Sequence, residues 1–299
     1  MKSKHIALTL SLAVLLCMTS AFAQTTYNFQ TINYPNDTFT QLLGINNSGD
    51  IAGYHNFLSN SGFTYSLKTK TFTTENYPGS SMTQVIGINN EPFKTVGFFV
   101  TKGGKTEGFE DYKGSFVAVN YPKTPFNQLL GQNDFRQAAG YYSTKADGSG
   151  PDHAYVVDET GTVFELFNIP NSVSAQATGI NNSSDVCGFT IDGSGNMHGW
   201  VKVQGIFTIL DDPNGVGTTA ALGLNNKGQV VGSYSDTAGP AGNSHGFVYT
   251  ISTQTWQTVD DPNGVGATVV NGINDNGVLV GFYGTNPTNS GFVATPVAP

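Results

Sequence analysis

The stretch GINNSGDIAGY, residues 44–54, decides how the rest of the chain is read, because versions of it return five more times. With the Gly-x-Asn core as marker, the copies begin at Gly44, Gly87, Gly131, Gly179, Gly223 and Gly272, a period of 43 to 49 residues. A period of this size, with several short strands per copy, is the signature of a propeller or a repeat array. Each repeat divides into four strands. The first is an apolar run ending in the core, as in LLGIN or ALGLN. A turn such as NNSGD or NNKGQ follows, in which Asn and Gly are expected to supply the positive φ of a tight hairpin. The chain returns through DIAGY, TVGFF, QAAGY, DVCGF, QVVGS and VLVGF, keeping a Gly at 53, 97, 140, 188, 232 and 281.

A third strand opens with a small residue and an aromatic, from Gly62-Phe63 to Gly291-Phe292. The fourth ends in Pro, as in FTTENYP and WQTVDDP. Proline donates nothing to a ladder, so it marks the end of an outer strand. Only five such strands lie between successive cores; the sixth, FQTINYP at 29–35, precedes the first core, and the last repeat stops without one. A chain that begins with the piece its end lacks predicts a ring closed by its own terminus, which removes the open edges of a linear array. The expected fold is therefore all-β: a six-bladed β-propeller of four-stranded repeats over residues 24–299, with 27–35 completing the last blade beside 270–295. An open solenoid would need atypical capping repeats, and none is visible.

Residues 1–23 stand apart from the repeats. Lys2 and Lys4 precede the apolar run IALTLSLAVLLCM, and Ala21-Phe22-Ala23 offers the small residues of a signal-peptidase site. The run is short for a membrane span, so cleavage after Ala23 and secretion to the periplasm or beyond are expected. The chain has 13 Lys and Arg against 21 Asp and Glu, a net charge of −8, which loss of Lys2 and Lys4 takes to −10. An acidic surface without basic clusters argues against nucleic acid or anionic lipid as partner. Cys187 is the one Cys after residue 23. The mature chain thus has no internal disulfide and no Cys-based zinc site, and a monomer held by its core is expected.

Chemistry is sparse. In the expected ring the crossing loops, from Pro to the next core, share a face with the variable links between second and third strands. Three residues before the core Gly stand Gln41, Gln84, Gln128 and Gln176, with Ala220 and Val269 in the last two repeats. Four amides at a channel mouth suit a hydroxyl-rich ligand, since each offers donors and an acceptor. They could equally satisfy backbone groups of neighbouring loops, the more ordinary use of such side chains. The twin loops Asp211-Asp212-Pro213-Asn214-Gly215 and Asp260-Asp261-Pro262-Asn263-Gly264 cluster hard oxygens in a way that could hold calcium, or cap turns without metal. His153, His198 and His245 stand before third strands of consecutive repeats, too far apart for one zinc and expected to bond within their own repeats. No phosphate-cradling loop or HExxH helix is present.

The GINNxGxVVG core followed by a His-small-aromatic triplet, as in His153-Ala154-Tyr155 and His245-Gly246-Phe247, resembles the bacterial extracellular HAF-repeat proteins. The resemblance covers nearly all of residues 24–299 and implies secretion and a repeat-built β fold; it brings no reaction and no catalytic residues. Ser61, Glu107 and Ser290 replace the His in three repeats. Together these features point to a secreted, non-enzymatic binding protein that engages a polysaccharide or surface component. The alternatives are a calcium-dependent hydrolase or lyase acting on sugars or lactones through the Asp pairs, and a structural or adhesive protein of the cell envelope.

Overall fold

The computed structural model describes residues 24–90, 94–237 and 242–297; the expected signal peptide, 1–23, lies outside them. Among the described residues there are 24 strands and no helix. After β1 (Tyr27–Ile32), the first repeat supplies β2 (Thr40–Ile45), β3 (Asp50–His55), β4 (Ser61–Ser66) and β5 (Thr71–Thr74). The second supplies β6 (Met82–Ile88), β7 (Thr95–Val100), β8 (Thr106–Tyr112) and β9 (Ser115–Ala118), and the third β10 (Phe126–Gln132), β11 (Ala138–Ser143), β12 (Asp152–Val157) and β13 (Phe164–Leu166). The fourth runs through β14 (Ser172–Ile180), β15 (Val186–Asp192), β16 (Met197–Val203) and β17 (Ile206–Leu210). The fifth has β18 (Thr219–Leu224), β19 (Gln229–Ser235), β20 (Ser244–Thr250) and β21 (Thr255–Val259), and the last β22 (Thr268–Ile273), β23 (Leu279–Thr285) and β24 (Thr288–Pro296).

The strands form a β-propeller in which successive strands of each repeat pair antiparallel. Its division into sheets differs from the expected six separate four-stranded blades, and that count is corrected: four blades have four strands, and repeats two and three share one eight-stranded sheet. The join is a parallel pairing of Phe126 in β10 with Thr106 in β8. Elsewhere the same approach of a third strand to the next inner strand stops at isolated bridges, Phe39 with Asn289, Met197 with Thr218 and Ser244 with Ala267. The chain's beginning does lie against its end. β1 pairs antiparallel with β24 from Tyr27 opposite Pro296 to Ile32 opposite Gly291, so the first and last strands close one blade.

Packing explains why the motifs recur. The third-strand aromatics Phe63, Phe109, Tyr155, Trp200, Phe247 and Phe292 are all fully buried, each contributing roughly 1.5–3 kcal/mol of apolar burial. Room for them comes from the second-strand Gly: a Cβ at Gly188 would lie 2.0 Å from the Gln176 carbonyl and 2.6 Å from the Trp200 ring. The core is divided among clusters that bridge neighbouring repeats, such as Ile32, Val280 and Val293 with Leu42, Ile51 and Phe63 across the closure.

The turns after each core take positive φ at Gly in three repeats, as expected, but not at Asn. Positive φ falls at Gly49, Arg136, Ser184, Gly228 and Gly277, and never at the core Asn or the residue after it. The core Asn instead accepts from the backbone of its own turn, as Asn46 Oδ1 does from Ser48 N and Asp50 N at 3.0 and 2.9 Å. Its amide reaches the next repeat: Asn46 Nδ2 donates to Asn89 O, Asn89 to Asn133, Asn133 to Asn181, Asn181 to Asn225, Asn225 to Asn274, and Asn274 back to Asn46, at 3.0 to 3.4 Å. A second circle lies beside it. The backbone N of Asn47, Asn90, Asp134, Asn182, Asn226 and Asp275 each donates to the side-chain Oδ1 of the next member, 2.7 to 2.9 Å away.

Candidate functional site

All six inner strands carry a register shift at the residue before the core Gly, between 42 and 44, 85 and 87, 129 and 131, 177 and 179, 221 and 223, and 270 and 272. A bulge of this kind leaves one residue unpaired and re-aims it. The unpaired residues are Leu43, Ile86, Leu130, Thr178, Leu222 and Asn271, and all six line a cavity at the centre of the ring. Directly after them, the core Gly residues bring adjacent inner strands into backbone contact. A Cβ on Gly44 would sit 2.5 Å from the Ile86 carbonyl, and one on Gly272 2.6 Å from that of Leu43, which leaves the wall no space for a side chain at this level.

The cavity is a cup of about 300 Å³, at the small end for ligand pockets. Gln41, Gln84, Gln128 and Gln176 line it with Tyr54, Phe98 and Phe189. At the other end of the axis a polar recess of about 60 Å³ is lined by the paired Asn and Asp residues of the two hydrogen-bonded circles. Between cup and recess stand Ile45, Ile88, Gln132, Ile180, Leu224 and Ile273, which line both. The cup therefore has amides and aromatic edges in its wall, aliphatic side chains below, and three polar residues, Gln132, Thr178 and Asn271, among the aliphatics.

The four Gln do come together here, and their partners differ from the expected loop backbone. Tyr54 Oη donates to Gln41 Oε1 at 2.6 Å, and burial raises the Tyr54 pKa above its ordinary value, keeping the phenol a donor. Gln84 Nε2 donates to Asn60 Oδ1 and Gln176 Nε2 to Asp152 Oδ2, both at 2.7 Å. Burial raises the Asp152 pKa, with the Gln176 amide opposing it. Gln128 makes no side-chain hydrogen bond among the described residues. Asn271 gives Nδ2 to the Leu42 carbonyl at 3.0 Å, while its Oδ1 receives no donor from the described residues. Thr178 spends its proton on the Ala221 carbonyl at 2.9 Å.

The Asp pairs are split rather than gathered. Asp211 Oδ1 lies 2.8 Å from His198 Nδ1, and Asp260 Oδ2 the same distance from His245 Nδ1. Asp212 and Asp261 are buried and cap their turns, each accepting from the N of Asn214 or Asn263 at 2.8 Å, with Oδ2 left without a partner among the described residues. Burial raises the Asp212 pKa. No group of three His, Cys, Asp or Glu side chains able to share a metal occurs among the described residues. The histidines bond within their own repeats: His198 also meets Asp192 at 3.4 Å and His245 meets Asp236 at 3.5 Å, while His153 stacks on Tyr142. For His198 and His245, burial pulls the pKa down, but the paired carboxylates outweigh it and hold both above the ordinary value.

No family model matches the chain, and no curated protein is similar to it in sequence. Its fold is shared with solved structures. TolB from Acinetobacter baumannii superposes with a TM-score of 0.56 at 12% identity, over 84% of this chain and 64% of TolB; this chain thus spans less than two thirds of TolB's length. A chain of the nidogen/laminin complex superposes with a TM-score of 0.51 at 11% identity, over 78% of this chain and 84% of that one. At such identities the likeness is one of fold, and function must be argued from the site.

Proposed function

We propose that the protein is a secreted binding protein that takes the end of a polysaccharide, or of another hydroxyl-rich surface component, into the cup on the ring axis. The carrying observation is the placement of Gln41, Gln84, Gln128 and Gln176 around a well whose remaining lining is largely apolar. Three of these amides are held by neighbours, so their free hydrogen-bonding atoms are fixed in direction before a ligand arrives, which reduces the ordering cost of binding. Uncharged amides exchange hydrogen bonds with hydroxyls without the large desolvation cost that charged groups carry. Tyr54, Phe98 and Phe189 add aromatic surface against which the apolar face of a sugar ring can lie. Secretion is supported by the Lys2, Lys4, apolar-run and Ala21-Phe22-Ala23 pattern and by the HAF-repeat resemblance.

The test is a glycan array with the purified chain from Gln24 onward, followed by calorimetry on any hit with the wild type and Gln128→Leu. Binding that Gln128→Leu weakens supports the cup. Binding unaffected by substitution at all four Gln positions removes it.

A further inference from the structure

The depth of the cup is chemically unlike its upper wall. Four of the six bulged side chains, Leu43, Ile86, Leu130 and Leu222, are aliphatic, and beneath them the partition from the polar recess is aliphatic except for Gln132. Within this layer Asn271 is bound through Nδ2 to the Leu42 carbonyl, which fixes its amide plane and leaves Oδ1 as an acceptor beside hydrocarbon. A plain hexose would bring several hydroxyls against a layer whose four aliphatic side chains answer none of them, and a buried unpaired polar group costs about 1–3 kcal/mol. A ligand that suits the layer carries one N–H donor next to a methyl group.

We infer that the cup selects an acetamido sugar, seated with the N-acetyl methyl among Leu43, Ile86, Leu130 and Leu222 and the amide N–H donated to Asn271 Oδ1, while ring hydroxyls meet the Gln amides above. This assignment rests on the proposed sugar-binding reading and adds the ligand class to it. The size agrees: about 300 Å³ is at the lower limit of ligand pockets, enough for a terminal residue and not for a run of them. Apolar pockets separate ligands that differ by one methylene about tenfold or more. Pairing the N–H adds to that, because a site built around a hydrogen bond rejects ligands that leave it unmade.

Calorimetry with N-acetylglucosamine and N-acetylgalactosamine, the parent hexoses glucose and galactose, and the 6-deoxyhexose fucose tests this directly. At least one acetamido sugar should bind about tenfold or more tighter than its parent hexose. Equal binding of hexose and acetamido sugar overturns the inference and leaves the cup as a sugar site. Fucose as tight as the acetamido sugars overturns the role of Asn271, and no binding by any of the five overturns the inference and counts against the sugar reading with it. Asn271→Leu provides an internal check, because Leu already occupies the same bulge at 43, 130 and 222, so the fold accepts it. That variant should melt close to wild type and lose about tenfold in acetamido affinity; unchanged affinity overturns the assignment. Leu222→Asn, which places the Asn271 side chain type at a second bulge, should reduce preference for the methyl-bearing ligand, and an unchanged ratio refutes the apolar seat.

Discussion

Glu75 occupies a position that every other repeat fills with an apolar side chain: Ile32, Val119, Phe167, Leu210 and Val259. It is 9% exposed, the Thr95 hydroxyl donates to it, and Asp111, itself buried with Oδ1 unpartnered among the described residues, lies close enough to act on its charge. Burial, opposed by the Thr95 hydrogen bond and reinforced by Asp111, raises its pKa from 4.5 to about 7. A carboxyl whose folded pKa exceeds its unfolded one stabilises the fold most when protonated. That contribution is complete below about pH 4.5 and lost as pH rises to 7. At about 1.4 kcal/mol per pKa unit the whole effect is about 3 kcal/mol, of which about 2.5 kcal/mol develops between pH 5 and pH 8. Glu75→Gln keeps an acceptor for Thr95 and cannot ionise. Urea denaturation of both proteins should show Glu75→Gln gaining stability over wild type by this amount between pH 5 and 8, close to 1 M in midpoint for a slope near 3 kcal/mol/M. A difference that stays flat over that range refutes the account of Glu75 as a buried acid that is charged only at a cost.

The circle of core Asn residues predicts that Asn225→Ala removes its bonds to Asn274 O and Gln229 Oε1 and its two turn bonds, costing about 3–4 kcal/mol at about 1 kcal/mol per hydrogen bond; equilibrium denaturation measures it, and a loss under 0.5 kcal/mol would contradict the role. Deleting residues 24–33 should expose β24 as an unpaired edge and give a chain that aggregates or loses its strand signal in circular dichroism. A monomeric, fully folded deletion product would show that β1 is dispensable. His245 should titrate above the ordinary imidazole value in an NMR pH series, and Asp260→Asn should lower its pKa. The stabilisation from this pair is complete below the unfolded His pKa and fades as pH rises through the folded one. EDTA should leave the melting temperature unchanged, since the four Asp of the twin loops are divided between histidine partners and turn caps; a drop of several degrees would mean that a cation holds the loops.

Much of the fold is legible in the sequence because each repeat repeats its own packing problem. The second-strand Gly recurs since the third-strand aromatic ring needs the volume, and FQTINYP at 29–35 betrays the closure because it matches fourth strands found elsewhere. The sheet boundary between repeats two and three is not legible. One backbone pairing, Phe126 with Thr106, joins them, and backbone pairing between repeats leaves no mark in side-chain periodicity. The Asn-Asn pairs read as φ-setting turn residues, because a side chain that caps its own turn and one that links neighbours are the same residue type at the same place. Gln at 41, 84, 128 and 176 points to the cup, but the bulge that aims Leu43 and Asn271 into it depends on the register of two strands. Glu75 is visible as an acid in an apolar column, yet its burial requires the partner repeat.

The core Asn side chains all give in the same rotational sense, each handing one hydrogen to its neighbour until the last returns to the first. The circle has no end: each copy brings one amide and one carbonyl of its own, so the bonds balance at any copy number, but adding or removing a copy would change the tilt of every strand around the axis. The inner runs therefore answer to one shared geometry that the outer links escape, and the six copies accordingly repeat their inner residues closely while the links between second and third strands differ.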